Sequence, residues 1–502
     1  MLYNIRRISL EFEEYYKSLG LDTYPFSVYT AESETEKGDS IYKKPQNYSV
    51  IDEGIKNSSI IISGERGTGK TALSLDISRR KKAAGTLLVK IEEFSKLEES
   101  YTPERLYEFL TESIAGEFFR TMGFNPGELW KYDKDERTDL SMYLNRFVKS
   151  STKAQLTEQI KIIQNGLLKR TAIGLYNTSR VILNYGLKAV TKVASDTLTK
   201  HFSALPEFDS GDSEYFKRLE AEVDESFTDE ERSFFYLSKL CSLIRKSKIS
   251  EIVVIIDKLD EDPRFKNDSE AIAKYLEGIA SNNKVMVNDL FKIVLFVWST
   301  PFNSIRANVR TQKLIFQPLS WTQKTLKEAT GKRLSAFSNK KVNDIEELFS
   351  PDGVEVLNDL VAMSNENPRD LWHLIDKSIK SQFEIDNSSK ISSQAVNNGI
   401  RDFVQQFNYY EYYPRKAKAR ADSMDVYSYI KHLMKLDSDR FTKNKLNEMA
   451  KTGGSTNNYV VAMENMGLIK KTGDKSSQGG VIYMIKDPKV QYAQANGVEI
   501  GG

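Results

Sequence analysis

The chain has 502 residues, enough for about two to four domains with sizeable cores. Lys+Arg 72 against Asp+Glu 70 leaves a formal net charge of +2, which excludes a chain coated in basic charge and makes any nucleic-acid surface a local feature. The single Cys241 excludes a disulfide framework and a cysteine-based zinc site, and His201, His373 and His432 are too scattered for a metal cluster.

Residues 1 to 57 read as an N-terminal lead-in, with a helix-like opening and a polar loop from Thr30 to Lys44. The opening MLYNIRRISLEFEEYY has no apolar stretch ending in a small-residue cleavage site, so no signal peptide is expected. The longest apolar runs, such as Ile293 to Trp298, are too short to span a bilayer. A cytoplasmic setting with no membrane partner is the expectation.

Ser58 to Ser63 (SSIIIS) predicts a short buried strand, and Thr71 to Lys81 predicts a helix. Between them, Gly64-Glu65-Arg66-Gly67-Thr68-Gly69-Lys70-Thr71 fits the P-loop pattern G-x-x-x-x-G-K-[ST] in its required strand–loop–helix setting. Glycines let the backbone curl so that successive N–H groups face phosphate oxygens, and the helix adds its positive N-terminal end. Lys70 is expected to reach the β- and γ-phosphates and the Thr71 hydroxyl to complete a Mg2+ shell. Gly64 to Thr71, with Ala72 following on the helix, are therefore the expected nucleotide contacts, and ATP with Mg2+ the expected cofactors.

Thr86 to Ile91 (TLLVKI) predicts a second strand. From about 100 to 245 the pattern turns to long helices, including Ala154 to Phe202, and reads as a helical insertion in a core spanning 58 to 330. Strands resume at Glu251 to Asp257 (EIVVIID) and Lys292 to Trp298 (KIVLFVW), continuous apolar runs suited to burial on both faces. A shorter strand is expected at Lys313 to Phe316.

A P-loop needs a strand-end acid to hold Mg2+, and Asp257 is the natural choice. The next residue, Lys258, cannot act as a base while protonated, which leaves Asp260 or Glu261 to orient the attacking water. Ser299 and Thr300, after the strand ending at Trp298, are candidates to face the γ-phosphate. Arg306 and Arg310 lie just beyond, and two readings stand for each: stabilising charge on a neighbouring subunit's nucleotide, or simple surface charge.

In order, Gly64 to Thr71, Val253 to Asp260 (VVIIDKLD), Leu295 to Pro301 (LFVWSTP) and Asn367-Pro368-Arg369-Asp370-Leu371 resemble the AAA+ ATPases and the signal-transduction ATPases with numerous domains. Archaeal and eukaryotic origin-recognition initiators are similar in layout. The lead-in from Leu19 to Phe26 also resembles bacterial P-loop ATPases of mobile elements and phage defence. The resemblance implies an α/β parallel-sheet core, a helical lid over 331 to 408, and Arg369 as the lid's sensor arginine. It implies an oligomeric ATPase, and Lys258 departs from the glutamate that ring motors place there.

Residues 409 to 424, aromatic and then basic (Arg415, Lys416, Lys418, Arg420), read as a linker. Three helices and a hairpin over 425 to 502 resemble a winged helix. Lys443, Lys445, Lys451, Lys470, Lys471 and Lys475 favour phosphate contacts, whereas TNNYVVAMENM, the expected third helix, carries few charges. The leading functional expectation is an ATP-driven switch in a bacterial antiviral or conflict system, beside a separately encoded effector. A DNA-binding initiator- or transposition-type ATPase is the alternative, and a protein-interaction scaffold with a weakly active nucleotide site is a third.

Overall fold

The computed structural model describes residues 11–29, 38–82, 85–148, 202–206, 227–387, 389–415 and 424–501. The helix expected from Ala154 lies outside them up to Phe202, as do Lys416, Lys418 and Arg420.

Five parallel strands form the central sheet: β1 (Ile60–Gly64), β2 (Thr86–Ile91), β3 (Glu251–Ile256), β4 (Lys292–Trp298) and β5 (Ile315–Pro318), in the order β2-β3-β4-β1-β5. The isoleucines and valines of β3 and β4 are buried almost without interruption, because helices cover both faces. On one face pack Pro103–Gly123 and Asp229–Arg245, whose Leu110, Phe118, Leu237 and Leu240 are fully enclosed. Each of those helices starts on a threonine N-cap, and Thr228 forms a reciprocal capping box with Glu231. The other face takes Tyr48–Asn57 and α1 (Lys70–Lys82), through Ile51, Ile55, Leu73 and Ile77. Strand β4 stands between the P-loop strand β1 and the strand β3 that ends beside Asp257. This is a parallel-sheet α/β core of P-loop layout, with the glycine-rich loop leaving the end of β1.

The lid consists of α2 (Gln323–Phe337), Leu357–Met363, α3 (Pro368–Ile385) and Ser393–Gln406. Residues of the N-terminal lead-in join it: Tyr15, Leu21 and Phe26 are buried in the lid's core. Arg333 on α2 is 1% exposed and donates to the carbonyls of Pro25 (2.7 Å) and Val28 (3.0 Å). A buried guanidinium is tolerable because its donors are answered by backbone oxygens and its face by Trp372, 4.3 Å from the ring centre.

The C-terminal region is a winged helix. It comprises α4 (Val426–Leu433), β6 (Arg440–Phe441), α5 (Lys443–Ala450), α6 (Thr456–Asn465), β7 (Ile469–Lys475) and β8 (Val481–Ile485), with the sheet order β6-β8-β7. The short β6 and a further helix, α7 (Pro488–Asn496), are additions to the expected three helices and hairpin. Leu433, Val460, Tyr483 and Val490 share one continuous core with Leu371 and Val404 of the lid. The stretch expected as a linker begins as a packed turn of helix, Tyr409–Tyr412, with Tyr409 and Tyr413 buried. No helix among the described residues is long and apolar enough to cross a membrane.

Candidate nucleotide site

The loop between β1 and α1 adopts the conformation its glycines permit. Gly67 and Gly69 sit at φ +84° and +90°, left-handed values that favour glycine. At Gly67 a side chain is also excluded by space, since a Cβ there would lie 2.5 Å from Oδ1 of Asn367. Two indoles brace the loop: Trp321 Nε1 donates to the Thr68 carbonyl and Trp298 Nε1 to the Glu65 carboxylate, each at 2.8 Å. Lys70 Nζ donates to the carbonyls of Gly64 (2.8 Å) and Glu65 (3.0 Å), both within its own loop.

A cavity of about 530 Å3 opens over this loop. Arg66, Gly67, Gly69, Lys70, Thr71 and Ala72 line it from the loop, and Asp257, Asp260 and Glu261 from the end of β3. The lid contributes Arg333, Arg369 and Trp372, and the lead-in contributes Tyr29 and Tyr42. Gly64, Glu65, Thr68, Ser299 and Thr300 are not among the lining residues. Ser299 and Thr300 start the helix Ser299–Ile305, and Trp298 before them meets the loop from β4. Arg306 and Arg310 also stand outside the lining; both are exposed, and Arg306 lies 4.6 Å from the Phe316 ring centre.

Asp257 follows β3 and is 1% exposed. Its Oδ1 accepts from the Lys258 N–H at 2.9 Å, while its buried Oδ2 has no hydrogen-bond partner. Burial pushes its carboxyl up; Lys90 and Lys70 oppose that, and Glu92 adds to it. Glu92 stands one residue beyond β2, level with Asp257, 2.6 Å from Lys90 and 3.6 Å from Lys258. It is a further acid near Asp257 that sequence reasoning passed over, and it does not line the cavity. An orphaned carboxylate oxygen lining the same cavity as the P-loop Thr71 is a donor set that fits Mg2+, which takes one or two protein oxygens and completes its shell from phosphates and water. Among the described residues no group of three or more His, Cys, Asp or Glu could hold a metal by itself.

Asp260 is 8% exposed and is held by Arg66, whose Nε reaches Oδ2 at 3.0 Å and whose Nη2 reaches the Asp260 carbonyl at 2.7 Å. Glu261 is exposed at the rim. Lys258 takes a left-handed conformation, φ 62°, to turn the chain there. On the lid, Asn367 caps α3 by accepting from the Arg369 N–H at 3.0 Å and donates from Nδ2 to the Arg66 carbonyl at 2.7 Å. Asn367, Trp298 and Trp321 thus hold the loop from outside the motif, and their only trace in the sequence is proximity to recognisable elements.

No family model matches the chain and no curated protein matches it. Two solved structures align along most of its length. The Orc1 protein of Aeropyrum pernix, in complex with DNA, is 11% identical over 90% of this chain and 93% of that one, with a TM-score of 0.34. Cdc6p of Pyrobaculum aerophilum is 8% identical over 96% and 98%, with a TM-score of 0.28. Superpositions that loose leave the site's own geometry as the basis for function.

Proposed function

We propose that the chain binds ATP with Mg2+, hydrolyses it slowly, and uses nucleotide state to set the position of its lid and winged helix. The observation that carries this reading is one cavity walled by the glycine-rich loop, by Asp257 and by the lid residues Arg333, Arg369 and Trp372. A ligand in it touches core and lid together, so its affinity depends on their relative position, which is the requirement for a switch. The cavity volume also suits a nucleotide, within the roughly 300–1,000 Å3 typical of ligand pockets. Lys70, Thr71 and the loop N–H groups would take the phosphates, and Thr71 and Asp257 would hold Mg2+, which supplies charge neutralisation at the β- and γ-oxygens. Arg369 would face the terminal phosphate from the lid. Equilibrium binding of labelled ATP with and without Mg2+ tests the reading.

Asp260 and Glu261 divide the catalytic question. Removing a water-orienting carboxylate costs about 10²- to 10⁴-fold in rate. Single-turnover measurements on Asp260→Ala and Glu261→Ala should therefore show a loss of that size in one variant. If both hydrolyse at the parental rate, the role passes to a third acid, and Glu92 is the next to test.

Duplex DNA is preferred to a separately encoded effector as the partner, because exposed lysines give DNA a surface. Lys470, Lys471 and Lys475 project from the wing, although Lys471 is paired with Glu464 at 3.0 Å. Helix α6 offers Asn457, Asn458 and Val461 to solvent and no lysine or arginine. The backbone-binding initiator-type role is thus supported by the wing and the base-reading role is not. Changing the three wing lysines to Glu should weaken DNA binding by an amount that shrinks as salt rises, since phosphate contacts release counterions. A parent protein that binds no duplex at low salt would remove the DNA reading and leave the winged helix as a packing module.

A further inference from the structure

The segment after the lid, Asn408 to Arg415, is a strap laid between the P-loop and the winged helix. At one end Arg66 Nη1 donates to the Glu411 carbonyl at 3.0 Å, the same guanidinium that holds Asp260. Asn267, beyond β3, donates to the carbonyls of Tyr410 and Tyr413, and its own carbonyl accepts from the Arg415 N–H at 2.9 Å. At the other end the strap's hydroxyls enter a buried charge cluster. Tyr412 donates to Asp370 at the start of α3, and Tyr413 donates to Asp487, the N-cap of α7, at 2.8 Å. Lys489 of α7 lies between the two carboxylates, 3.3 Å from Asp370 and 3.4 Å from Asp487. All three side chains are 2% exposed. Tyr410 reaches Asp425, the N-cap of α4. The loop, the lid and two helices of the winged helix are therefore joined through four consecutive residues, Tyr410 to Tyr413.

We propose that Arg66 is a phosphate-responsive latch: it ties the P-loop to the strap and occupies Asp260, and a nucleoside triphosphate in the cavity draws it off both. The proposal rests on the nucleotide-site reading and names how that site is regulated. Arg66 stands in the phosphate-binding loop and lines the cavity with Gly67 and Lys70. A polyanion there competes for its guanidinium with two neutral carbonyls, which charge-assisted phosphate bonds exceed, and with the single Asp260 carboxylate, a bond of the same class that several phosphate charges outnumber. Its departure has two consequences. Asp260 loses the cation that holds its Oδ2, and the strap loses its direct Glu411 tie to the loop while keeping the Asn367 bond to Tyr412 and its anchors at Asp370, Asp487 and Asp425. Hydrolytic competence and freedom of the lid–winged-helix body would then change together. The buried Lys489 cluster makes the transmission stiff, because separating any one of these charges from its partners inside the protein is costly.

Hydrogen exchange on the full chain, read at peptides covering 408–415 and 486–496, tests the latch with adenylyl imidodiphosphate and Mg2+ at saturation. Loss of one such hydrogen bond corresponds to about a fivefold rise in exchange in the strap peptide. Arg66→Gln should show raised exchange without nucleotide and no further rise with it. Asn267→Ala, which loosens the strap from the core side, should raise exchange there and leave the nucleotide-dependent increment in place. Unchanged circular dichroism checks that both variants fold. If the parent binds the analogue and strap exchange is unaltered, the latch is overturned and the nucleotide site stands. If it binds no nucleotide in direct titration, the site reading fails and the latch with it.

Discussion

Replacing Lys70 by alanine should lower the affinity for ATP and Mg2+ by about 30- to 1,000-fold, the equivalent of about 2–4 kcal/mol in lost charge-assisted phosphate bonds. Folding should be little changed. Lys70 Nζ is bound to the carbonyls of Gly64 and Glu65, at the solvent-facing mouth of the loop, and water can replace it there. The loop's shape is held by other groups, Trp321 on Thr68, Trp298 on Glu65 and Asn367 on Arg66, none of which involves Lys70. Binding energy and loop stability are thus carried by different residues, and the variant separates them. Isothermal titration checks the first and thermal unfolding the second. An affinity within twofold of the parent would place the phosphates elsewhere.

What was legible in the sequence is what local chemistry dictates. The glycines at 67 and 69 announce a left-handed loop, and the unbroken Ile and Val runs of β3 and β4 announce strands covered on both faces. What was hidden depends on partners far away in the chain. Asn367 belongs to a stretch read for Arg369, yet its amide reaches the carbonyl of Arg66, 301 residues away. Tyr409 to Arg415 looked like a linker because tyrosines and charges suit solvent, and only the fold supplies the buried Asp370 and Asp487 that their hydroxyls meet. Arg333 drew no notice in the sequence, and only the fold brings the carbonyls of Pro25 and Val28 to its guanidinium. Ser299 and Thr300 were assigned by position after a strand; in the fold they begin a helix, and the residue before them, Trp298, bonds the loop.

Asp257→Asn should abolish most of the benefit of Mg2+ to nucleotide binding and slow turnover by about 100-fold or more, while the thermal midpoint stays equal to the parent's or rises. The first effect follows from the metal's need for an anionic oxygen, which an amide oxygen answers poorly. The second follows from burial. Asn can still accept from the Lys258 N–H, as Asp257 does at 2.9 Å, so the turn after β3 keeps its bond. The carboxylate it replaces is 1% exposed with one oxygen unpartnered, and desolvation raises its pKa. A carboxyl whose pKa is raised by folding stabilises the fold below its unfolded value of about 3.9, and that contribution is lost as pH rises through the folded value. At neutral pH the ionised group is therefore a net cost that the Asn variant lacks. Lys90 and Lys70 reduce that cost and Glu92 increases it, so the gain should be small. Measured together, a Mg2+ titration of nucleotide affinity and a thermal melt separate the roles. A Mg2+ dependence equal to the parent's would assign the metal to another acid, with Glu92, level with Asp257 at the end of the neighbouring strand, the next to test.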